Sequence, residues 1–288
     1  MKPIASVVMC VKDVEQHIGK CIESLLDQTF ESFEIIIVGD ASHDRTNQII
    51  NGFSDTRIRY LENETNLGIA RSRNRGLKLA RGEYVFFTDG DCIASRNWIE
   101  EGSKLLKNGG FVGVEGRICY VSENHQKTFS DHVSENKFGG QFMTGNMAYR
   151  KSIIESINGF DENFTYFEDR DLALRAARKG KIGFNPNMIV YAQEQTMTPK
   201  NLLESANQIK NRVRLFRKHR EKELMIWRCV KPRNLARAAF PPLIFVNLLF
   251  HRFETKDDFH LLPFTYVYAV RERLKLWQEC ARQKVLLF

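Results

Sequence analysis

Residues 84–91 read Tyr84-Val85-Phe86-Phe87-Thr88-Asp89-Gly90-Asp91, an apolar run that ends in two acids around one glycine. The run predicts a β-strand buried on both faces, and its acids then lie at the carboxyl end, where α/β sheets bind ligands. Carboxylate oxygens are suitable ligands for Mg²⁺ or Mn²⁺, and substrate phosphates complete the coordination of such a metal. Because Asp and Gly also favour turns, the alternative at this level is a surface turn without a ligand.

The neighbouring segments alternate between strand-like and helix-like patterns. Continuous apolar runs predict strands, whereas apolar residues spaced by three and four predict helices. Repeated β-α units with non-alternating strands indicate an α/β fold with a mostly parallel, Rossmann-like central sheet flanked by helices. The predicted strands are Ile4–Cys10, Glu34–Val38, Arg57–Leu61 and Tyr84–Phe87, and the predicted helices cover about 14–25, a segment from about Arg45 capped by Asp44, Ile69–Ala80, a segment opened by Ser95, and Phe167–Gly180.

Downstream of residue 110 the periodicity weakens. Residues 111–146 are expected to form short strands and polar loops, and Ser122–Gly140 is the part least like a regular element. Long irregular segments in compact domains are often functional, so we interpret this one as a mobile loop over a site.

The composition is that of an ordinary globular protein, with 43% hydrophobic and 27% charged residues over 288 positions. This length suits one large domain, or one domain with an appendage, and the composition excludes disordered, collagenous and coiled-coil classes. The six cysteines are scattered without zinc-type spacing. The first residues lead directly into a strand without a signal-peptide apolar region. We therefore expect a reducing, cytoplasmic compartment.

The net charge of +8 is concentrated in the last third of the chain. Residues 1–199 carry 24 Lys+Arg and 27 Asp+Glu, a balance of −3, whereas residues 200–288 carry 19 and 8, a balance of +11. Such an excess indicates a polyanionic partner, either an anionic membrane surface or a nucleic acid. Few aromatic residues accompany the arginines, which disfavours nucleic acid.

The basic region contains two features of its own. Thr198 and Pro199 predict a helix start, followed by an apolar stripe opposite a basic face. The uncharged segment Ala238–Phe250 is too short to span a bilayer. Together they predict a helical extension over 198–288 that associates with an anionic membrane surface through 198–252. The alternative is that the stripe and the 238–250 segment pack on the catalytic domain or form a dimer contact; the stripe consists of Leu202, Ala206, Ile209, Val213 and Phe216.

Three further segments carry candidate chemistry. Asp40 follows the second predicted strand and is placed to accept hydrogen bonds from a nucleobase or a ribose. Arg73 lies near a helix start, and a guanidinium fork matches diphosphate oxygens. Asp169 and Asp171 begin another helix, where either is placed to deprotonate an acceptor hydroxyl. The structural alternatives are a capped loop, a solvated basic helix face and helix N-terminal charge, respectively.

In order and spacing these segments resemble the family 2 glycosyltransferases with the GT-A fold, of the bacterial glycan-assembly type. The resemblance covers about residues 4–195. It implies a GT-A catalytic domain over 1–197, with a nucleotide-sugar half over about 1–110 and an acceptor half over about 111–197. The motifs that carry it are Val-Gly-Asp-Ala-Ser-His-Asp at 38–44, Asn-x-Gly-x-x-x-x-Arg-Asn-x-Gly at 66–76, Gly-Glu-Tyr at 82–84, Asp-Gly-Asp at 89–91, Gly-Phe-Asp-Glu at 159–162 and Glu-Asp-x-Asp-Leu-x-x-Arg at 168–175.

The resemblance also implies a reaction, the inverting transfer of a sugar from a nucleoside diphosphate sugar, UDP-sugar favoured, to a hydroxyl of a glycan or lipid-linked acceptor. Asp169 would be the general base, with Asp171 as the alternative. Asp91 and Asp89 would hold Mn²⁺ or Mg²⁺. The implied donor-side residues are Cys10, Asp40, Arg73, Asp89 and Gly90, and the implied acceptor-side residues are Thr144, Gly145, Asn146 and Glu168. For 144–146 a tight structural turn is the alternative.

Departures from the family pattern keep several points open. Gly39 stands where a first Asp is common, and Val11-Lys12-Asp13 replaces a frequent Tyr-Asn, so the nucleobase is open. Gln193 and Glu194 stand where some relatives have a His, which disfavours a third protein ligand to the metal. The alternative functions are a retaining or nucleotidyl-transferring enzyme and an inactive scaffold subunit. Sugar, acceptor, linkage and oligomeric state are open, and the expected location is cytoplasmic, at the inner face of the cell membrane.

Overall fold

The computed structural model describes residues 2–121, 136, 138–193, 206–219 and 262–283. Several predictions fall elsewhere. The helix start at Thr198-Pro199, most of the loop 122–140, the apolar segment 238–250 and Glu194 lie outside the described residues.

Within those ranges the chain forms eight strands and eight α-helices. The elements predicted upstream of residue 110 all occur, with ends shifted by a few residues. The strands are β1 (Ala5–Val11), β2 (Phe33–Asp40), β3 (Ile58–Asn63), β4 (Tyr84–Phe87), β5 (Cys92–Ala94), β6 (Phe111–Val121), β7 (Met147–Arg150) and β8 (Lys181–Gln193). The helices are α1 (Ile18–Leu26), α2 (Thr46–Asn51), α3 (Ile69–Leu79), α4 (Trp98–Lys107), α5 (Lys151–Ser156), α6 (Glu168–Ala177), α7 (Ile209–His219) and α8 (Leu262–Arg282).

The strands form one sheet in the order β3-β2-β1-β4-β7-β6-β8-β5. β3, β2, β1 and β4 are parallel neighbours, which confirms the parallel sheet predicted for the first half. β7 is antiparallel to β4 and β6, β5 is antiparallel to β8, and β6 and β8 are parallel. The sheet is therefore mixed, with parallel pairings in the majority.

Helices cover both faces of the sheet because its central strands are apolar on both sides. β1 turns Val7 and Met9 to one face and Val8 to the other. α1 and α4 pack on the first face, where the rings of Trp98 and Phe86 lie 5.1 Å apart between centroids. α3, α5 and α6 cover the second face. The core therefore lies in two layers, one on each side of the sheet.

The structure departs from the prediction in the second half of the sheet. Residues 111–121 form a single strand of 11 residues, not a series of short strands and loops. Cys92–Ala94 forms a short strand that follows directly from the acidic triplet. Both strands pair with β8, which lies far downstream in the chain. Local patterns cannot reveal such pairings, because the partner strand is distant in sequence.

The chain divides into two compact units, Met1–Val121 with Ser134–Gln193, and Ser122–Val133 with Glu194–Phe288. The first unit contains the whole sheet, and the described part of the second contains α7 and α8. No described helix is both long enough and apolar enough to cross a membrane.

The apolar stripe predicted as a membrane contact is buried within the second unit. Ile209 and Val213 of α7 pack with Leu276 and Cys280 of α8, and Phe216 packs against this cluster. The described part of the stripe therefore faces protein, because helix–helix packing removes these side chains from water. The partner helix belongs to the same unit, which is neither the predicted membrane contact nor one of the two alternatives, so the prediction of a membrane contact is corrected for the described part of the stripe.

Candidate active site

Three parallel strands end at the same edge of the sheet, each near a predicted donor-side residue. Cys10 lies at the end of β1, Asp40 ends β2, and Asp89 follows β4. β1 lies between β2 and β4, so the three residues are neighbours at this edge. β7 begins with Met147 opposite Phe87, which brings the turn before β7 to the same edge.

Asp40 is buried, and both of its oxygens accept hydrogen bonds from the protein. Oδ1 accepts from the Leu67 N–H and from the Asn63 side-chain amide, both at 2.8 Å, and Oδ2 accepts from the Gly68 N–H at 2.9 Å. Burial raises the pKa of Asp40, but these bonds outweigh it and hold the pKa below its ordinary value. Gly68 has a φ of 85°, a conformation that favours glycine. Asp40 therefore fixes the loop that leads into α3, and its contact with a nucleobase stays a prediction.

Gly39, where the sequence departs from the family pattern, lies against Tyr60. A Cβ at this position would collide with the hydroxyl of Tyr60. That hydroxyl donates to Asn47 Oδ1 at 2.6 Å. An aspartate at position 39 would therefore require the Tyr60 side chain to move and to give up this bond.

The guanidinium of Arg73 links the acidic triplet to the start of α6. Arg73 is only 2% exposed; Nη2 donates to Asp89 Oδ1 at 2.9 Å, and Nη1 donates to Glu168 Oε1 at 2.7 Å. The guanidinium also lies over the Phe160 ring, 5.6 Å from its centroid. Burial lowers the pKa of Arg73, but the charges of Asp89, Glu168 and Asp169 raise it above its ordinary value. The alternative of a solvated helix face is therefore wrong for Arg73.

The Asp-Gly-Asp triplet forms a tight connection between β4 and β5. Gly90 is buried, and a Cβ there would press on Val11 and Val14, so this position requires glycine. Asp89 faces the turn before β7, since a Cβ built on Gly145 would lie 3.2 Å from Asp89 Oδ2. The triplet is thus packed into the sheet edge and is not a solvated surface turn.

Asp91 lies in an environment that favours a bound cation. Burial, and then the negative charge of Asp89, raise the pKa of Asp91. The Cys92 thiol approaches Asp91 Oδ1 at 3.6 Å. Across the described residues, no three His, Cys, Asp or Glu side chains form a preformed metal cluster. The two carboxylates therefore fit a divalent metal whose coordination is completed by ligand phosphates.

Asp169 begins α6 in surroundings that disfavour its charge. The residue before the helix, Phe167, has a left-handed φ of 67°, and Glu168 is the first residue of α6. The Arg170 N–H donates to Asp169 Oδ1 at 2.6 Å. Burial, and then the charge of Glu168, raise the pKa of Asp169 to about 7, although Arg73 opposes the change. A carboxyl group with a pKa near neutrality is suited to accept a proton at physiological pH.

Asp171, the alternative base, already has a structural partner. It is fully buried, and its Oδ2 accepts from Arg175 Nε at 2.7 Å, one helical turn further on. Arg175 also donates to the Ile157 carbonyl at 2.6 Å, which ties α6 to the end of α5. This arrangement favours Asp169 over Asp171 as the base.

The predicted acceptor-side turn is a buried 3₁₀ turn over Thr144–Asn146. The Asn146 side chain accepts from Trp98 Nε1 and donates to the carbonyls of Arg117 and Met188, each at 2.8 Å. Its amide therefore stabilises the fold, as the structural alternative expects. Gly145, by contrast, lies beside the acidic triplet.

Two other predicted residues lie close to Arg73. Glu168 is buried and bonded to the Arg73 guanidinium, so it belongs to the link between the acidic triplet and α6. Burial raises the pKa of Cys10 to about 11, although the charge of Arg73 lowers it. The Cys10 thiol is therefore protonated at neutral pH, and at this edge it offers a compact, neutral surface.

Sequence reasoning missed Glu115, a buried carboxylate on β6. Its Oε1 accepts from the N–H groups of Gln141 at 3.0 Å and Phe142 at 2.7 Å, and from the Asn136 side-chain amide at 2.6 Å. Its Oε2 accepts from the Gly140 N–H at 2.5 Å. These bonds hold the described end of the predicted loop against the sheet. An acid inside an apolar run was the available signal, since buried charges need partners.

Two relatives of known sequence illustrate the similarity. The chain is 31% identical over 202 residues to the uncharacterized glycosyltransferase EpsJ of Bacillus subtilis (strain 168), a match that covers 63% of this chain and 58% of EpsJ. It is 28% identical over 195 residues to the UDP-Glc:alpha-D-GlcNAc-diphosphoundecaprenol beta-1,3-glucosyltransferase WfaP of Escherichia coli, covering 65% of this chain and 75% of WfaP. The chain thus spans less than two thirds of the length of EpsJ.

A solved structure shares the fold. The mannosyltransferase PcManGT from Pyrobaculum calidifontis, in complex with GDP-Man and Mn²⁺, matches with a TM-score of 0.67 at 16% identity. The match covers 96% of this chain and 88% of PcManGT. At this identity the likeness concerns the fold alone, and it confirms the predicted α/β architecture of GT-A type.

The family is shown by a match over the sheet and its loops. The model for glycosyl transferase family 2 matches residues 6–160, more than half of the 288-residue chain. The matched range contains Asp40, Arg73 and the acidic triplet, and it ends just before α6. The resemblance predicted from the ordered motifs is therefore confirmed, and the chain belongs to glycosyl transferase family 2.

Proposed function

We propose that this chain is an inverting glycosyltransferase that moves a sugar from a nucleoside diphosphate sugar to an acceptor hydroxyl. One observation carries the proposal. Buried Arg73 bonds Asp89 with one nitrogen and Glu168, the neighbour of Asp169, with another. A diphosphate-binding group and a proton acceptor therefore lie within the reach of one side chain, as a transfer site requires.

The proposed reaction is a single displacement at C1 of the donor sugar. The acceptor oxygen attacks C1 from the face opposite the diphosphate, and the hydroxyl proton passes to Asp169. The bond between C1 and the diphosphate oxygen breaks, and its electron pair leaves with the diphosphate. Arg73 neutralises part of the charge that develops there. One displacement inverts the configuration at C1, so the site needs a base but no protein nucleophile.

Asp91 and Asp89 are the proposed ligands of Mn²⁺ or Mg²⁺. When bound, such a metal stabilises the negative charge on the departing diphosphate. The mutual repulsion of the two carboxylates, which raises the pKa of Asp91 together with burial, supports this assignment. The Mn²⁺ and GDP-Man bound to PcManGT support it by analogy of fold.

The proposed donor is a UDP-sugar, and the proposed acceptor is a glycan or a lipid-linked glycan. The name of WfaP specifies UDP-Glc as donor and a diphosphoundecaprenol-linked acceptor. The GDP-Man in PcManGT leaves other nucleobases open. We propose a catalytic domain over 1–197, with donor and acceptor halves meeting near residue 110. Among the described cysteines all five are free thiols, which supports the cytoplasmic face of the membrane as the working location.

A screen of nucleotide sugars with Mn²⁺ tests the donor assignment. Thermal unfolding of the protein is followed with UDP-, GDP- and TDP-sugars, each with and without Mn²⁺. We expect a UDP-sugar to raise the unfolding temperature, and more so with Mn²⁺, because a ligand that binds only the folded state stabilises it. Stabilisation by GDP-sugars alone would change the proposed nucleobase from uracil to guanine. Stabilisation by none of these sugars would contradict the proposal of a nucleotide-sugar donor.

The substitution Asp91→Asn tests the metal assignment. We expect it to abolish sugar transfer and to weaken Mn²⁺ binding in the presence of UDP, followed by electron paramagnetic resonance, while the unfolding temperature is kept. Asp27→Asn is the matched control, since Asp27 pairs with an exposed arginine away from the triplet. Full transfer activity in Asp91→Asn would refute the mechanism.

The anomeric configuration of the product separates the alternatives. NMR of the product distinguishes inversion from retention. Formation of a nucleotide sugar from a sugar 1-phosphate and a nucleoside triphosphate, with release of inorganic pyrophosphate, would indicate a nucleotidyltransferase. A chain that binds the donor but turns over no acceptor in a broad screen corresponds to a scaffold subunit.

A further inference from the structure

Helix α8 leaves one of its faces exposed, and that face is apolar along one edge. Val267, Leu274 and Trp277 are 50%, 51% and 53% exposed. Spacings of seven and three residues put these side chains on one side of a helix. The opposite side carries Leu276 and Cys280, which are buried against α7. The exposed stripe is therefore a second apolar surface, separate from the one that holds the two helices together.

The same exposed face is basic along its other edge. Arg271 is exposed and Lys275 is half-buried. The acids of α8 do not neutralise them, because Glu272 pairs with Arg212 at 3.0 Å and Glu279 pairs with Arg282. Burial, and then the charges of Arg271 and Lys210, lower the pKa of Lys275. Positive charges are thus crowded at this edge.

A basic cavity lies beside this face within the same unit. It has a volume of about 400 Å³ and is lined by Arg214, Arg217, Lys218, Arg282 and Gln283. Its size and its four cationic side chains suit a phosphate-bearing group. Apolar stripe, basic edge and basic cavity are therefore all contributed by α7 and α8.

We infer that α8, supported by α7, docks on an anionic phospholipid surface. Val267, Leu274 and Trp277 enter the interface between headgroups and acyl chains, and the basic edge and cavity contact lipid phosphates. A Trp-containing apolar stripe next to Lys and Arg is the pattern of helices that lie in the membrane interface. Residues 200–288 carry a net charge of +11, so this region is attracted to a negatively charged surface.

This surface differs from the predicted one in residues and in exposure. The predicted contact used 198–252, whose described stripe is buried, whereas α8 lies downstream of it. Membrane docking is argued independently of the proposed function. The inference rests on that function only to explain why docking would be useful, since a protein held at a membrane meets a lipid-linked acceptor there. Nucleic acid is disfavoured because an apolar stripe has no role on a phosphate backbone, and a second copy is disfavoured by the like charge of the two basic faces.

Vesicle co-sedimentation of the full chain tests the inference. We expect binding to phosphatidylcholine vesicles that contain phosphatidylglycerol, release by high salt, and no binding to vesicles of phosphatidylcholine alone. The double substitution Leu274→Gln with Trp277→Gln should lower the partition coefficient at least about tenfold, because it removes two apolar anchors. Arg271→Gln should lower it about fivefold, as expected for one basic residue near an anionic surface. Ile4→Gln, at an exposed apolar position of the first unit, is the matched control and should change nothing.

Four results would overturn the inference. Two concern vesicles: equal binding to neutral and acidic vesicles, and unchanged binding of the Leu274/Trp277 double variant. The third is a concentration-dependent dimer in ultracentrifugation that this variant abolishes, without any vesicle binding. The fourth is tight, salt-sensitive binding of a DNA duplex in place of vesicles. Sugar transfer to a water-soluble acceptor is measured in parallel. A protein that transfers sugar but does not bind vesicles would contradict only this inference. A protein that binds vesicles but does not transfer sugar would contradict only the proposed function.

Discussion

The end of β2 holds a buried acid and the start of α6 a half-buried one, and the surroundings shift the pKa values of the two in opposite directions. Asp40 accepts one hydrogen bond from Asn63 at the end of β3 and two from the loop before α3, and its pKa lies below the ordinary value. Asp169 lies beside Glu168 with its charge poorly compensated, and its pKa rises to about 7. A saturated carboxylate stabilises a loop, whereas an under-compensated one has free capacity for a proton. The contrast distinguishes Asp40, whose bonds hold a loop, from Asp169, the proposed base.

The largest expected effect comes from removing the carboxylate of Asp169, the proposed proton acceptor. Asp169→Asn should lower kcat for sugar transfer by about 10²–10⁴-fold, the usual contribution of a general base, while donor affinity stays within about twofold. Steady-state kinetics and calorimetric titration of the donor measure the two quantities. Exposed Glu64→Gln is the control for the loss of one negative charge. Retention of more than half of the wild-type kcat in Asp169→Asn would rule out this base.

Asp171 provides the matched case two residues away. Asp171→Asn should lower the free energy of unfolding by about 2–4 kcal/mol, because it leaves the half-buried partner Arg175 without its counter-charge. Denaturant titration measures this loss, and the folded fraction should keep its kcat. A stable Asp171→Asn protein without transfer activity would exchange the roles of the two acids.

Asp40 should respond as a scaffold residue. Asp40→Asn replaces one accepting oxygen with an amide that faces N–H donors, so we expect a loss of about 1–3 kcal/mol in the free energy of unfolding. Glu64→Gln, the same acid-to-amide change on an exposed side chain of the loop that Asp40 holds, should cost nothing measurable. Equal unfolding curves for the two variants would contradict the scaffold role.

The smallest expected effect is the pH dependence. Transfer requires ionised Asp169, so kcat should fall about tenfold per pH unit below about 7. The same raised pKa makes the folded state hold its proton more tightly than the unfolded state. Wild-type stability should therefore fall, relative to Asp169→Asn, as pH rises from about 4 to about 7.

The lowered pKa of Asp40 has the opposite effect on stability, since the stabilisation that ionised Asp40 contributes is lost as pH falls through the acidic range. A pH-independent difference between wild type and Asp169→Asn would contradict the raised pKa.

The grouping of Asp40 and Asp89 at one sheet edge could be predicted because its determinants are contiguous in the sequence. Apolar runs that end in Asp40 and in Asp89 are visible locally, and parallel neighbours bring their carboxyl ends together. Local patterns did not predict the role of Glu115, because its partners lie over 20 residues away. They did not predict β5 either, because this strand depends on pairing with β8.

The sequence alone was sufficient for the fold class, the family and the set of candidate acids, because periodicity and motif spacing are local properties of a chain. The tertiary structure was needed to separate Asp169 from Asp171, which share residue type and helix. It also revealed that the stripe of α7 is buried while α8 exposes another. Burial, counter-charge and hydrogen-bond partners decide these matters, and each is set by residues distant in the chain.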